Sequence, residues 1–404
     1  MYRRIVFASA QAVSFKDATE ALAELGELTL LPKRVWRAAT RIGKERVEEC
    51  HAAAEKFLKL TLPERRESPT GQSPPVACVQ MDGGRFQTRE RVAEAPDADE
   101  TSAPEEQDSE SGWSEYKAGV LLSMTSETHR EDPCPELPAT FADPGKIREM
   151  AREIKGFTTS DAQASTKAEG EDNEPTNFEE RPGRPEIVLK SVVATSGNVE
   201  TFGPLLASAA HERGFHPAER KAFVADGSSA NWGVHSKYFS HYTAILDFVH
   251  ALMYVYAGAM TGRGEQQGLV DYQVWAQWLW SGQASLVIEA LEARQQELGL
   301  PEKRETGTPR AQVANSLGYL RNQRGRMKYD EYRKQGLPIT SSAIESTIKQ
   351  INRRVKGTEK FWSEGGDAML RLMADRLSQT KVTADFWDRR VNRLIASANP
   401  QQAA

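Results

Sequence analysis

The sequence predicts an α/β protein with a strand-rich core and helical segments before and after it. Apolar residues recur at three- and four-residue intervals from 15 to 62, which is the spacing of helices. The core is predicted to run strand, strand, strand, helix, strand, at 76–88, 112–124, 185–196, 199–214 and 220–228. From 268 onward the apolar spacing is helical again. The chain therefore combines a sheet with many helices.

The N-terminal region, residues 1–70, is predicted to be helical with a break at "LGELTLLPKR". A short helix, a turn that contains Gly26 and a second helix resemble a helix-turn-helix, whose second helix can lie in a DNA groove. This second helix carries four basic residues, Lys33, Arg34, Arg37 and Arg41. A plain helical hairpin fits the same pattern, so the sequence leaves both interpretations open.

The predicted core, residues 71–265, also contains a short strand at 242–247 that runs directly into an apolar helix. The ribonuclease H-like fold has this order of elements: three strands, a helix, a strand, and then further strands and helices. Other α/β arrangements share this spacing, and the pattern alone does not separate them.

A helical insertion is predicted at 266–335, C-terminal helices that complete the core at 336–390, and a tail at 391–404. The insertion holds three tryptophans within six residues, Trp275, Trp278 and Trp280. Exposed tryptophans would form a stacking platform for bases. Their spacing is more typical of the buried face of a helix, and we expect the buried arrangement.

Charge is distributed unevenly along the chain, which has a formal net charge of -5. Two acidic stretches are predicted to be solvated loops, at 93–110 and 158–186. The segment 301–360 carries fourteen Lys or Arg against six Asp or Glu, an excess of +8. This basic segment is the expected contact surface for a polyanion such as nucleic acid.

Composition excludes several classes of protein. With 404 residues, 39% hydrophobic and 27% charged, the chain is long enough for two or three globular units. Three widely spaced cysteines, Cys50, Cys78 and Cys134, offer neither a disulfide framework nor a C-x-x-C zinc pair, which favours a reducing cytoplasm. We find no signal peptide and no apolar run of the ~18 residues that a membrane span needs.

Two aspartates occupy the same setting at the predicted ends of strands. Asp82 precedes Gly83 and Gly84, and Asp226 precedes Gly227. A strand-end aspartate can project from a sheet while the glycine lets the chain leave sharply. Asp-Gly is also a common turn dipeptide. Phosphoryl chemistry with two Mg²⁺ ions needs clustered carboxylates of this kind, because Mg²⁺ prefers hard oxygen ligands.

A third acid, Glu345, lies in "GLPITSSAIESTIKQINRRVKG" at the start of a predicted helix. Ser342 and Glu345 match a capping box, in which each side chain bonds the other residue's backbone amide. Glu345 is also the candidate third metal ligand, and the helix behind it would present three bases to a nucleic-acid backbone, Lys349, Arg353 and Arg354. The two roles are compatible, since a cap that fixes the helix start also directs Glu345.

Several segments together resemble a known family. "VQMDGGRFQ", "GWSEYKAG", "FVADGSSANW", "AILDFVHALMYV" and "QGLPITSSAIESTIKQINRRVKGTEKFWSEGGDAMLRLMADRL" resemble, in order, the blocks of bacterial insertion-sequence transposases of the DDE superfamily. The chain is most similar to the ISKra group, a distant relative of Mutator-like elements, over roughly residues 15–380. The last segment is the most specific, with its Pro-Ile, its glutamate, its Arg-Arg-x-Lys-Gly and Trp362 at the family's spacing.

The resemblance implies a ribonuclease H-like core with a helical insertion between the second aspartate and the glutamate. Here 118 residues separate Asp226 from Glu345. The resemblance implies that Asp82, Asp226 and Glu345 are the catalytic triad and the ligands of Mg²⁺, for which Mn²⁺ is a substitute. It also implies that Asp247 and His250 of "DFVH" lie beside the site, where His250 has either a structural or DNA-positioning role or a role in proton transfer.

The implied partner is DNA, namely the terminal inverted repeats of the element and the target. The expected DNA contacts are Lys349, Arg353, Arg354, Lys356 and Trp232, although burial explains Trp232 equally well. The implied protein is a bacterial transposase that acts at the nucleoid, as a homo-oligomer on paired ends and without a membrane. Two alternatives remain: a transposase-derived DNA-binding protein that no longer cleaves, and a non-transposing nuclease of the same fold.

Overall fold

The computed structural model describes residues 1–88, 112–151, 182–357, 360, 362 and 365–398. The acidic loop predicted at 93–110, and residues 158–181 of the second acidic loop, lie outside the described residues. Within the described part the chain has a mixed α/β structure, as the sequence predicts. No helix in this part is both long enough and apolar enough to cross a membrane.

Five strands form a mixed sheet in the described residues. They are β1 Val76–Gln87, β2 Trp113–Thr125, β3 Glu186–Thr195, β4 Arg220–Ala225 and β5 Thr243–Leu246. Their order across the sheet is β3-β2-β1-β4-β5. β2 is antiparallel to both β1 and β3, whereas β4 is parallel to both β1 and β5. The five predicted strands are confirmed.

Helices surround this sheet. Those of the described residues are α1 Tyr2–Gln11, α2 Phe15–Gly26, α3 Pro32–Lys59, α4 Leu62–Arg66, α5 Ala139–Ala142, α6 Pro144–Ala151, α7 Val199–Glu212, α8 Ser229–Tyr238, α9 Phe248–Met260, α10 Glu265–Trp280, α11 Ala284–Leu298, α12 Pro309–Gln323, α13 Tyr329–Lys334, α14 Ser342–Val355, α15 Gly366–Leu377 and α16 Val382–Ala398. The predicted pair of N-terminal helices corresponds to α2 and α3. α1 lies in the region 1–70 that is predicted to be helical, although no separate helix is predicted before residue 15.

Residues 391–398 of the predicted tail belong to α16, which continues to Ala398. Phe386 and Trp387 bury its first half in the core. Arg389 and Arg390 then bond carboxylates of α3, which fixes the helix beyond its buried part. Residues 399–404 lie outside the described part.

The two faces of the sheet carry separate apolar cores. Successive residues of β1 point to opposite faces. Val76 and Cys78 belong to a cluster with residues of α9 and α14, whereas Ala77 and Val79 belong to a cluster with residues of α3 and α7. Asp82 has the same parity as Cys78, so the alternation puts its side chain on the face that α9 and α14 cover.

The N-terminal helices are joined to the core through α3. Gly43 lets α3 approach α15 closely, because a Cβ atom there would lie 2.7 Å from the Cβ of Ala368. One turn later the buried Arg46 donates from Nε to Asp375 Oδ2 of α15 at 2.7 Å. A buried ion pair needs this geometry, because the attraction must offset the loss of hydration of both groups.

The tryptophans of the insertion are core residues. Trp275 and Trp280 are buried, and Trp278 packs against the same cluster. Trp280 donates its indole N–H to the carbonyl of Cys134 at 2.7 Å. The expected buried arrangement is confirmed, and these rings form no platform for bases.

Candidate active site

Three aspartates line up across the carboxyl ends of the parallel strands. The pairing of β1 with β4 runs to Gln80 opposite Val224, and continuing it by two residues brings Asp82 beside Asp226. The pairing of β4 with β5 runs to Ala225 opposite Leu246, and continuing it by one residue brings Asp226 beside Asp247. Adjacent strands lie ~4.8 Å apart. The sheet itself therefore brings Asp82, Asp226 and Asp247 together.

Asp82 is not at the end of its strand, and the prediction of its setting is wrong. β1 continues to Gln87, with Asp82 opposite Ala118 and Gly84 opposite Tyr116. A Cβ atom at Gly84 would lie 2.3 Å from the ring of Tyr116, so this glycine makes room for an aromatic ring of β2. What ends at Gln80 is only the contact of β1 with β4, which leaves Asp82 at the open edge of that pairing.

Asp226 has the predicted setting, directly after β4. Its Oδ1 accepts hydrogen bonds from the backbone N–H of Ser228 at 3.0 Å and from the side chain of Asn231 at 2.7 Å. Tyr319 of α12 donates its hydroxyl to the carbonyl of Asp226 at 2.6 Å. Both the carboxylate and the backbone of Asp226 are thus held by the protein, as metal ligands commonly are.

Glu345 lies in the first turn of α14, but the predicted capping box is wrong. The residue before the helix is Ser341, whose side chain makes no capping bond, and Glu345 Oε1 accepts from the Ser341 hydroxyl at 3.2 Å. The helix start is bonded by a distant residue instead. The buried Gln80 of β1 accepts from the N–H of Ile344 at 3.1 Å and donates to the carbonyl of Thr340 at 3.0 Å.

Asp247 and His250 form the N-terminal cap of α9. Asp247 Oδ2 accepts from the backbone N–H of His250 at 2.9 Å and contacts His250 Nδ1 at 2.7 Å. Its Oδ1 accepts from the backbone N–H of Ser341 at 2.7 Å. Asp247 is fully buried and uses both of its oxygens on protein groups. It therefore ties the segment before α14 to the start of α9.

The charges of the cluster influence one another. Burial raises the pKa of Asp82, and the charge of Asp226 raises it further. Burial, followed by the charge of Asp247, raises the pKa of Glu345. Burial opposes the protonation of His250, but its hydrogen bond to Asp247 and the surrounding carboxylates outweigh burial and raise the pKa to about 9. Clustered acids with raised pKa values are typical of functional sites.

The structure does not bring ligand atoms of all three acids of the predicted triad within 4.8 Å of one another among the described residues. Asp82 Oδ1 accepts from the N–H of Gly83 at 2.6 Å, and one oxygen of Asp226 and one of Glu345 are also held by protein groups. Among the hydrogen bonds of the described residues, the second oxygen of each of these three acids has no protein partner. Oriented carboxylates with a free oxygen are the ligands that Mg²⁺ and Mn²⁺ prefer.

One group of possible metal ligands shares Glu345 with the predicted triad. Ligand atoms of Asp247, His250 and Glu345 all lie within 4.8 Å of one another, the one such group in the part of the chain that the structure describes. Both oxygens of Asp247 are already engaged, as described above. A cation bound by Asp247 would have to displace its bonds to Ser341 and His250, so Asp247 fits a positioning role better than a ligand role.

The expected DNA-contacting residues separate into two groups. Lys349 and Arg353 are exposed on α14, and Lys356 is exposed directly after its last residue. The prediction for Arg354 is wrong: it is buried and donates to the carbonyl of Ser9 at 3.0 Å. Its guanidinium also lies over the ring of Phe15, 4.3 Å from the centroid. Arg354 therefore holds the N-terminal helices to α14 instead of facing solvent.

Trp232 is half-buried near the start of α8. The guanidinium of Arg326 lies over its ring, 4.3 Å from the centroid. The rings of Phe223 and His235 lie about 6.1 Å away. These contacts agree with the burial alternative for Trp232, since a stacked base would have to displace Arg326.

Sequence reasoning missed the residues that hold the acids from a distance, namely Gln80, Asn231, Tyr319 and Gln323. Asn231 follows Asp226 by five residues in an Asp-Gly-Ser-Ser helix start, which is a recognisable local signal. Tyr319 and Gln323 are four residues apart on α12, and Gln323 donates to the carbonyl of Gly227 at 3.0 Å. Their spacing indicates one helix face, but nothing local indicates what that face contacts.

Comparison with protein-family models finds none that matches this chain, and comparison with curated proteins finds no significant match.

Proposed function

We propose that this chain is a DNA transposase of the DDE type that uses Mg²⁺ or Mn²⁺ held by Asp82, Asp226 and Glu345. One observation carries the proposal: among the hydrogen bonds of the described residues, each of these acids keeps an oxygen without a protein partner, whereas the neighbouring Asp247 uses both of its oxygens. The order of three strands, a helix and a strand supports a ribonuclease H-like core for the proposed enzyme.

In this proposal the protein mainly positions reactants and balances charge. The bound metal ions would supply an activated attacking water or hydroxyl and stabilise the leaving oxyanion. Asp82 and Asp226 are oriented by backbone and side-chain donors before any ligand arrives, so little reorganisation is needed. His250, protonated at neutral pH, offsets part of the negative charge of the carboxylates. Asp247 holds His250 and the start of α14 in place.

Two basic surfaces support DNA as the proposed partner. Exposed bases follow Glu345 on α14, Lys349 and Arg353, and Lys356 follows directly after the helix. On α3, the proposed second helix of a helix-turn-helix, the first half exposes Lys33, Arg34, Arg37, Arg41 and Lys44. Phosphate contacts of this kind supply most of the sequence-independent affinity for DNA. Terminal inverted repeats, target DNA and a homo-oligomer on paired ends belong to the same proposal.

The proposal is tested by cleavage and strand transfer with the full chain and linear DNA that carries the sequences flanking its gene. Glu345→Gln should abolish Mg²⁺-dependent cleavage while leaving the melting temperature close to that of wild type. The matched control is Glu331→Gln, which changes an exposed glutamate on α13 that pairs with Lys334.

Three results would count against the proposal. Cleavage by Glu345→Gln at the wild-type rate would remove Glu345 from the chemistry. Tight DNA binding by the wild-type protein without any cleavage would favour the transposase-derived DNA-binding protein. Hydrolysis without joining of ends to target DNA would favour a nuclease.

A further inference from the structure

Gln80 is a buried amide in the middle of a strand. It lies on β1 two residues before Asp82, so the alternation of the strand puts both side chains on the same face. Gln80 is 2% exposed, which makes its side chain one of the most completely buried polar groups beside the cluster of acids. A buried amide is tolerated only when its donor and acceptor atoms are bonded.

The oxygen and nitrogen partners of Gln80 are backbone groups at the start of α14, 260 and 264 residues further along the chain, and its Nε2 also lies 3.8 Å from Sγ of Cys78. Its Oε1 accepts from the N–H of Ile344, which also points to the carbonyl of Ser341 at 3.0 Å. Its Nε2 donates to the carbonyl of Thr340. Helix starts leave N–H groups without partners, and a side chain of the helix's own sequence usually caps them. Here Ser341 supplies no side-chain capping bond.

We propose that Gln80 is a positioning residue of the active site, which fixes the carboxylate of Glu345 relative to Asp82 by capping α14 from β1. Glu345 follows Ile344 directly, so any slide or rotation of the first turn moves its carboxylate. Misplacement of a reacting group by about 1 Å can lower a rate ~100-fold. This inference rests on the proposed function for its catalytic consequence, whereas the cap itself does not depend on it.

The chemistry of the side chain matters as well as its size. Glutamine supplies one donor and one acceptor at the end of a three-atom stem. Methionine has nearly the same shape and offers neither a donor nor a strong acceptor. Asparagine offers both groups but is one methylene shorter, so it cannot reach Thr340 and Ile344 with the same geometry.

The experiment uses the full chain as wild type, Gln80→Met, Gln80→Asn and Ile351→Val. Ile351 is a fully buried residue two turns further along α14, and its truncation by one methyl group loosens the core without touching the helix start. Two readouts are needed. Amide hydrogen exchange of residues 340–346 reports the cap, and Mn²⁺ titration followed by electron paramagnetic resonance reports the metal site.

We expect Gln80→Met and Gln80→Asn to speed amide exchange at 340–346 but not at 347–355, and to raise the Kd for Mn²⁺ about 10-fold or more. Ile351→Val should change the Kd for Mn²⁺ by less than about 2-fold, even if its melting temperature falls as much as that of the Gln80 variants. If Gln80→Met does not fold, Gln80→Asn, which keeps the amide, gives the same comparison.

Three outcomes would overturn the positioning role of Gln80, the proposed function or both. Unchanged local exchange, or a Kd for Mn²⁺ that shifts no more than in Ile351→Val, overturns the positioning role of Gln80. A wild-type protein that binds no Mn²⁺ overturns both this inference and the proposed function. A wild-type protein that binds Mn²⁺ through this site but cleaves no DNA overturns the proposed function alone.

Discussion

Replacing Arg354 by alanine should destabilise the protein without weakening its contact with DNA. The guanidinium donates from Nε to Ser9 at 3.0 Å and from Nη1 to Val13 at 3.4 Å, and it lies over the ring of Phe15. The ring of Trp362 lies further away, 5.5 Å from the guanidinium. The side chain thus connects α14 to the turn between α1 and α2.

The loss of unfolding free energy in Arg354→Ala is the balance of favourable contacts and the cost of burying the charge. The shorter charged hydrogen bond is worth up to about 3 kcal/mol and the longer one ~1 kcal/mol. Stacking on Phe15 adds about 2 kcal/mol for a desolvated guanidinium, and packing of the alkyl stem adds ~1 kcal/mol. Against these, burial lowers the pKa of Arg354 from 12.5 to about 10, which corresponds to a cost of about 3 kcal/mol. The expected loss of unfolding free energy is therefore about 4 kcal/mol.

The matched control is the neighbouring Arg353→Ala, since Arg353 is exposed on the same helix. Urea denaturation measures stability, and fluorescence anisotropy with labelled DNA at several salt concentrations measures binding. Arg353→Ala should stay within about 0.5 kcal/mol of wild type. It should also reduce the slope of log K against log salt by about 0.9, the value for one lost phosphate contact. A stable Arg354→Ala protein with the reduced salt slope would refute the assignment of Arg354 to the interior.

Three further predictions concern stability and the geometry of the site. Burial, and then the charges of His241 and His211, lower the pKa of His216 to about 4 from its usual 6.5. The unfolded chain therefore binds a proton at His216 before the folded protein does, so the free energy of unfolding is highest above pH 6.5 and falls as the pH falls toward 4. Urea denaturation at pH 7.5 and pH 5 should show a loss of about 2 kcal/mol from this residue, and an identical loss in His216→Gln would contradict it. Gly227→Ala should cost about 2–3 kcal/mol in thermal denaturation, because Gly227 has φ +92° and a Cβ there would lie 2.8 Å from the Tyr319 hydroxyl. The control Gly233→Ala has open space in α8 and should be neutral or stabilising, so equal losses in the two variants would be evidence against this reasoning. Tyr319→Phe should lower stability by about 1–2 kcal/mol and slow DNA cleavage, because the carbonyl of Asp226 loses its donor; cleavage at the wild-type rate would show that α12 does not help to place Asp226.

Most strands and several helices of this fold can be predicted from local patterns in the sequence. The alternation and the β-branched residues of β1 to β4 predict strands, and apolar spacing predicts α3, α7 and α14. The end of β4 at Asp226 is readable because Asp-Gly-Ser-Ser cannot continue a strand well. The same reasoning fails at Asp82, since Gly83 and Gly84 continue the pairing with β2 and Gly84 makes room for the ring of Tyr116.

The residues at and near the site differ in how far their roles can be predicted from the sequence. The buried position of Arg354 was available from helical periodicity, because Arg354 follows the buried Ile344, Thr347 and Ile351 at steps of three and four residues. The role of Gln80 was not available, because its backbone partners are 260 or more residues away and depend on how α14 packs on β1. The lateral alignment of Asp82, Asp226 and Asp247 likewise requires the strand order of the sheet.

The central claim is that Asp82, Asp226 and Glu345 are the metal ligands, with Asp247 as a positioning residue. Anomalous diffraction from crystals of the full chain grown with Mn²⁺ and DNA measures this directly. The account predicts Mn²⁺ ions coordinated by carboxylate oxygens of Asp82, Asp226 and Glu345, with Asp247 still bonded to Ser341 and His250. An ion bound by Asp247 and His250 without Asp82 would contradict it.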